Sequence, residues 1–169
     1  MPKPSPAQYP SFYATYIDQV QDTDVIQALE NNTNTTLAAL AAMPADKAEY
    51  AYAPGKWTLK EVWLHLSDAE RIFAYRLLRI GRNDQTPLPG WEENDYTANA
   101  NAARLSFRDV LDEWVTVRHA TTSLFKNLEP AAWDRTGIAN GNPINVAAIG
   151  FIISGHTYHH LKIIRERYL

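Results

Sequence analysis

The sequence predicts an all-α protein, a four-helix bundle, and three observations support this prediction. Four long segments carry apolar residues at helical spacing, two of these segments open on capping residues, and few stretches alternate as a strand would. The 169 residues, 46% of them hydrophobic, are about the length of one domain. We therefore expect a single helical-bundle domain over residues 1–169, in which residues 1–20 form an N-terminal arm with room for a short helix.

The first two long helices flank a Pro-Gly break. The first is predicted over about residues 24–43, although its polar middle, NNTNTT, is poor helix material. The second begins at a capping box formed by Thr58 and Glu61 and ends at Gly81. The apolar stripe predicted for the first helix consists of Val25, Ile26, Leu29, Leu37 and Leu40.

Two connections of different length join the remaining helices. The segment QTPLPGWEENDYTANANAAR, with two prolines and a glycine, predicts a long ordered loop between helices two and three. The third helix is expected from Ser106 to about Leu128. A short irregular or hairpin connection around the dipeptide NG then leads to the fourth helix, which begins near Asn145 and reaches the C-terminus.

Composition excludes several classes of protein. The net charge of −3 and the lack of a dense Lys/Arg run make a nucleic-acid partner unexpected. No segment approaches the roughly 20 apolar residues of a membrane span. The first residues, MPKPSPAQYP, contain no apolar leader, so a cytoplasmic protein is expected. The absence of cysteine excludes disulfides, cysteine–zinc sites and a thiol nucleophile.

The C-terminal segment ISGHTYHHLKIIRERYL holds three of the five histidines. On a helix that turns about 100° per residue, His160 lies about 40° from His156, and both fall within the isoleucine stripe. Burying two imidazoles costs free energy unless their ring nitrogens find partners, and protonating both would place like charges within about one turn. A divalent metal would use both lone pairs. The alternative is a pair of core histidines bonded to neighbouring polar groups.

A metal site of this kind needs a third protein ligand. His119 falls well off the apolar stripe of the third helix, which predicts a surface position. His159 falls at the edge of the fourth helix's stripe, where contact with a neighbour or with solvent is expected. His65 lies on the flank of the second helix beside Glu61 and Asp68, whose carboxylates are suited to orient its second nitrogen. Elimination, more than angle, therefore favours His65.

Three segments in this order and spacing resemble the DinB-like (damage-inducible) family of four-helix bundles: GKWTLKEVWLHLSDAERIFAYRLLRI, TPLPGWEENDY and GHTYHHLKIIRERYL. The resemblance covers the chain from about residue 54 to its end. In that family, one histidine of the second helix and an H-x-x-x-H pair on the fourth bind a divalent metal. These positions correspond to His65, His156 and His160. The resemblance implies a metal cofactor, with zinc or nickel expected first and iron, manganese or copper as alternatives.

The same resemblance implies a class of function. Relatives include thiol-dependent S-transferases, which use a low-molecular-weight thiol as a further cofactor, and proteins described as hydrolases, so a metal-dependent enzyme acting on a small molecule is expected. Many relatives are homodimers, which implies a homodimer here. Two alternatives stay open: a non-catalytic small-molecule-binding or stress-response module with a structural metal or none, and a plain helical dimerisation domain.

Further residues are candidates for the site. If the metal binds water, Glu61 or Asp68 is a candidate base. Arg76 lies on the side of the second helix that carries His65, where it can contact an anionic substrate. Asn94 and Tyr96, in the PGWEENDY segment, are candidate substrate contacts. The alternative for this segment is that its aromatic residues only anchor the loop on the bundle.

Overall fold

The computed structural model describes all 169 residues, which form six α-helices and one β-hairpin. The chain is therefore mostly helical, as predicted, but it also contains a small two-stranded sheet. Short 3₁₀ turns precede the first helix and punctuate the loops. The elements, in chain order, are α1 (Ala14–Ile17), α2 (Val25–Ala41), α3 (Leu59–Gly81), α4 (Glu93–Asn99), α5 (Phe107–Lys126), β1 (Thr136–Ala139), β2 (Asn142–Asn145) and α6 (Val146–Arg167).

The four long helices pack in an order that differs from their order in the chain. Helix α2 packs against α5 and α6, and α3 packs against the same two helices. The consecutive helices α2 and α3 therefore stand on one diagonal of the bundle, and α5 and α6 stand on the other. This arrangement makes α3 and α6, the helices that carry the predicted ligands, direct neighbours.

Helix α2 runs without a break through the segment NNTNTT, despite its weak helical propensity. Asn32 and Thr36 from this segment are fully buried, whereas Leu37, predicted to lie in the core, is 38% exposed. The predicted apolar stripe is thus wrong in this part of the helix. Three threonine hydroxyls of the segment donate to backbone carbonyls four residues earlier, which satisfies them within the helix. The tertiary contacts of the buried Asn32 side chain outweigh the weak helical propensity of this segment.

The long connection between α3 and α5 contains a helix that the sequence did not indicate. Its prolines and glycine all precede Glu92, whose carboxylate accepts a hydrogen bond from the backbone N–H of Asn94 and caps α4. Acidic residues in the first turn suit the positive end of this helix. Earlier in the connection, Leu88 pairs with the end of β1: its N–H donates to the carbonyl of Ile138, and its own carbonyl accepts from Asn140.

The connection between α5 and α6 contains a hairpin with a two-residue turn. Strands β1 and β2 pair antiparallel, and the turn residues Asn140 and Gly141 both have positive φ, +50° and +73°. Positive φ at both central positions is the property that makes Asn-Gly common in such turns. The side chain of Asn145 at the end of β2 then accepts from the N–H groups of Ala147 and Ala148, which starts α6.

The first half of helix α6 is completely buried. Residues 146–157 are all buried, so the helix is covered on every side over these turns. At Gly155 the backbone of α1 comes so close that a Cβ would lie 2.0 Å from the carbonyl oxygen of Tyr16. The N-terminal arm therefore packs against α6 directly beside His156. None of the helices combines the length and the apolar character that crossing a bilayer requires.

Candidate metal centre

Three histidine side chains from two helices meet inside the bundle. The Nε2 atom of His156 lies 3.1 Å from Nε2 of His65 and 3.1 Å from Nε2 of His160. His65 and His156 are buried, whereas His160 keeps partial exposure. The structure thus brings together the three residues that the sequence singled out as ligands, and it brings no carboxylate into the same cluster.

The spacing of these nitrogens fits a shared transition-metal ion. Two nitrogens that each lie about 2.1 Å from one ion are about 3.0 to 3.4 Å apart, depending on the coordination angle. The two observed separations of 3.1 Å fall within that range. Without an ion, Nε2 of a neutral His156 carries either one proton or one lone pair, so it can form a hydrogen bond with only one of the two neighbouring Nε2 atoms. A bound ion would use the lone pairs of all three rings. The donor set therefore fits a divalent metal.

The pKa values of the three histidines favour the neutral form that binds metals. Burial lowers the pKa of His65 to about 4. Burial also holds the pKa of His156 and of His160 well below the ordinary value, and repulsion from the neighbouring imidazoles adds to the effect. Because all three rings are neutral near pH 7, none has to lose a proton before it coordinates an ion.

Aromatic side chains enclose the cluster. The ring of Trp57 packs on His65 with centroids 4.7 Å apart, and Trp91 stacks on the same imidazole at 5.9 Å. On the other side, the ring of Tyr16 from α1 lies 5.2 Å from that of His156. These contacts fix the orientation of two imidazoles and exclude water from them. Neither Nδ1 of His65 nor Nδ1 of His160 has a hydrogen-bond partner in the protein.

A cleft of about 250 Å³ opens beside the cluster, and His160 forms part of its wall. The chain segment before α3, the first turns of α3 and α4 and the end of α6 supply the remaining walls. A larger concavity of about 520 Å³, on the polar surface between α2 and α5, contains none of the three clustered histidines. The lining of the smaller cleft is Tyr52, Gly55, Lys56, Trp57, Val62, Glu93, Asn94, His160, Ile163 and Tyr168.

The two candidate bases from the sequence have other partners. The carboxylate of Glu61 accepts hydrogen bonds from the backbone N–H and the hydroxyl of Thr58, so it is engaged in capping α3. Asp68 pairs with Arg71, and partial burial raises the pKa of its carboxyl while Arg71 opposes that shift. Asp68 lines a shallow depression that also contains Tyr96 and no histidine. A role for either carboxylate at the metal stays a prediction.

The candidate substrate contacts fall into different environments. Asn94 lines the cleft together with His160. Tyr96 is 45% exposed and packs edge-on against Trp91, which matches the alternative that these aromatic residues anchor the loop. Arg76 is buried and donates to the carbonyl of Pro89, so its guanidinium also holds the connection after α3.

The remaining two histidines lie outside the cluster. His119 is exposed on the surface of α5, where the sequence placed it. His159 is half-buried at the edge of the site, with its ring 5.3 Å from that of Tyr16. Its pKa is lowered by burial and then by the nearby Lys162.

Sequence reasoning missed three residues of the site: Tyr16, Trp57 and Glu93. Trp57 and Glu93 lie within segments that carry the family resemblance, but nothing in their spacing distinguished them from their neighbours. Tyr16 had no signal at all, because its contact with His156 depends on the N-terminal arm folding back onto α6.

A model of the DinB superfamily matches residues 28–164 of the chain, a range that includes all three clustered histidines. The chain belongs to the DinB superfamily. This result confirms the family that the sequence motifs resemble. Among curated proteins, none matches this DinB sequence.

Two solved structures share the fold of this DinB protein. YfiT from Bacillus subtilis, described as a probable metal-dependent hydrolase with an unusual four-helix bundle topology, has a TM-score of 0.73 at 18% identity and covers 97% of this chain and 90% of its own. A mycothiol-dependent maleylpyruvate isomerase has a TM-score of 0.68 at 11% identity, over 85% of this chain and 58% of its own. At such identities the likeness shows the fold alone.

Proposed function

We propose that this protein is a metal-dependent hydrolase of small molecules, with one divalent ion held by His65, His156 and His160. The observation that carries the proposal is the convergence of three neutral Nε2 atoms, one of them on a histidine that lines an open cleft. When bound, such an ion acts as a Lewis acid and lowers the pKa of a coordinated water or thiol. Zinc or nickel is the expected metal, since imidazole ligands suit both.

The cleft favours a small substrate with an apolar part. Its volume of about 250 Å³ lies below the roughly 300–1,000 Å³ that is usual for pockets holding drug-sized ligands. Trp57 and Val62 supply apolar contacts, whereas Lys56 and Asn94 supply a cation and an amide. A small ester or amide, with its apolar part on the Trp57 ring and a polar group near Lys56, suits this lining.

Glu93 is our candidate for proton transfer. It lines the same cleft as His160, and although the residue is exposed as a whole, partial burial of its carboxyl raises its pKa, with Glu92 adding to the effect. The pKa of Tyr16 is raised first by burial and then by Glu93, so this carboxylate acts on the phenol whose ring packs on His156. A carboxyl group whose pKa moves toward the working pH is better suited to general acid–base catalysis.

Thiol transfer is the second candidate function. It is supported by the fold shared with a protein described as a mycothiol-dependent isomerase. The same ion would favour the thiolate of a low-molecular-weight thiol as it favours hydroxide. The small volume of the cleft favours hydrolysis, because a thiol and a second substrate together need more space.

The homodimer and the cytoplasmic location expected from the sequence stay predictions. Sedimentation of the purified protein measures its oligomeric state.

Metal-dependent turnover of a small ester or amide is the expected result for protein purified without a histidine tag and loaded with Zn²⁺ or Ni²⁺. A panel of such substrates, and in parallel an electrophile with added glutathione, bacillithiol or mycothiol, separates the two candidates. Hydrolysis that a chelator abolishes and the metal restores supports the proposal. Turnover only in the presence of a thiol would replace it with the second candidate. No turnover in either assay, with metal bound, would contradict both and favour a binding module.

Replacing Glu93 by glutamine is expected to lower the hydrolytic rate by about 10²- to 10⁴-fold, the usual contribution of general acid–base catalysis. Metal content should not change, because Glu93 lies outside the histidine cluster. The matched control is Glu92→Gln, one residue earlier, where the amide oxygen can still accept from Asn94. Because Glu92 is only the second cause of the raised pKa of Glu93, this control should change the rate far less than Glu93→Gln. Equal activity of the Glu93→Gln and Glu92→Gln variants would contradict the role of Glu93 in proton transfer.

A further inference from the structure

The bundle buries an arginine with a full set of hydrogen-bond partners. Arg118 of α5 has no exposed surface. Its Nε donates to Glu70 Oε1 at 2.9 Å, and its Nη2 donates to Glu70 Oε2, also at 2.9 Å. The second N–H of Nη2 donates to the hydroxyl of Thr157 at 3.1 Å, and Nη1 donates to Asn32 and Thr33. Each of the five guanidinium N–H groups thus has an acceptor.

This network joins all four long helices. Asn32 belongs to α2, Glu70 to α3, Arg118 to α5 and Thr157 to α6. Asn32 also donates to a backbone carbonyl of α6, that of Ser154, at 3.1 Å. The ring of Trp114 packs against the guanidinium, with its centroid 4.8 Å from Cζ of Arg118. The network therefore fixes the relative position of α3 and α6 through a side chain that belongs to neither helix.

The network lies next to the histidine cluster along both ligand-bearing helices. Thr157 directly follows His156 in α6. Glu70 follows His65 by five residues, about 7.5 Å along the axis of α3. Arg118 is also near enough to contribute to the lowered pKa of His156, after burial and the neighbouring histidines. The network therefore sets the spacing of α3 and α6 close to both of these histidines.

Stability alone does not account for a buried ion pair of this kind. Removing two charges from water is costly, and apolar replacements of similar volume are often as stable. Apolar packing is not directional. A two-point contact between an arginine and a carboxylate, in contrast, fixes the orientation of the two side chains as well as the distance between them. We propose that Arg118 is a positioning residue for the metal centre, which holds α3 and α6 so that the Nε2 atoms of His65 and His156 can share one ion. This inference rests on the proposed metal site.

Binding of Co²⁺ by the full-length, tag-free protein tests the inference, with the dissociation constant and the visible d–d spectrum as readouts. Thr157→Val keeps the side-chain shape but removes the acceptor for Arg118. Its matched control is Thr121→Val, because Thr121 is a buried threonine of α5 that also donates to a carbonyl four residues earlier but forms no hydrogen bond with the network. Arg118→Lys keeps the charge and loses the two-point contact with Glu70.

We expect Arg118→Lys to weaken Co²⁺ binding by about 10- to 100-fold, the range found for groups that orient metal ligands, and to alter the spectrum. Thr157→Val should shift both readouts in the same direction, by a smaller factor, while Thr121→Val matches the wild type. If Arg118→Lys does not fold, the comparison of the two valine variants decides. Wild-type affinity and spectrum in Thr157→Val would overturn the role of Arg118 and leave the metal site intact. A wild-type protein that binds no Co²⁺ would overturn both.

Discussion

Replacing His156 by alanine is expected to abolish stoichiometric metal binding. The Nε2 atom of this residue is the one that lies 3.1 Å from both other ligands, so its loss removes the central ligand and leaves only two of the three imidazoles. Loss of a group that only orients a metal ligand weakens metal binding by about 10- to 100-fold. Loss of the ligand itself should therefore weaken binding by more than about 100-fold. Titration calorimetry with Zn²⁺ or Ni²⁺ measures the change.

The same substitution should remove the stabilisation that the metal provides. An ion present at about 100 times its dissociation constant raises the free energy of unfolding by about 2.7 kcal/mol. For a chain of this length, that is roughly 5–10 °C in melting temperature. His119→Ala, at an exposed position on α5, is the control and should keep the full shift. A His156→Ala variant that binds metal within threefold of the wild type would contradict the assignment of this ligand.

Acidification is expected to destabilise the metal-free protein well above the pH at which most carboxylates titrate. The pKa of His65 in the folded protein is about 4, below the ordinary value of 6.5, and the pKa values of His156 and His160 are shifted in the same direction. As pH falls below about 6.5, the unfolded chain binds protons that the folded chain does not, so the free energy of unfolding falls. His65 alone accounts for roughly 3 kcal/mol by about pH 4.

Urea unfolding of chelator-treated protein between pH 7 and pH 4 measures this loss. Replacing His156 by glutamine, which does not titrate, should make the decline with pH shallower than in the wild type. Comparing the two proteins separates the histidines from the carboxylates, which both proteins share. Bound metal should steepen the acid transition further, because protons compete with the ion for the same nitrogens. Identical pH profiles for wild type and variant would show that the folded protein does not hold His156 neutral.

The part of the site that was predictable lies on single rigid helices. His156 and His160 are four residues apart on α6, so helical geometry alone placed them on one face. His65 was harder, because its angle put it on the flank of the α3 stripe. The structure explains this position: α3 packs against both α5 and α6, and His65 points to the α6 side. The resemblance to the DinB family, and not the angle, identified this residue as the third ligand.

The parts that were missed depend on contacts between distant segments. Tyr16 reaches His156 because the N-terminal arm seats on α6 at Gly155, where a side chain would collide with the backbone of α1. Glu93 reaches the cleft because the connection after α3 folds into α4. Asn32 and Arg118 occupy core positions of their helices, but a search for apolar stripes passes over polar residues that satisfy one another across the bundle.

Anomalous diffraction at the zinc edge, on crystals of the tag-free protein grown with Zn²⁺, tests the central claim most directly. We predict one strong peak about 2.0 to 2.1 Å from the Nε2 atoms of His65, His156 and His160. Strong peaks only at other positions, with these three imidazoles bonded to one another, would contradict the claim.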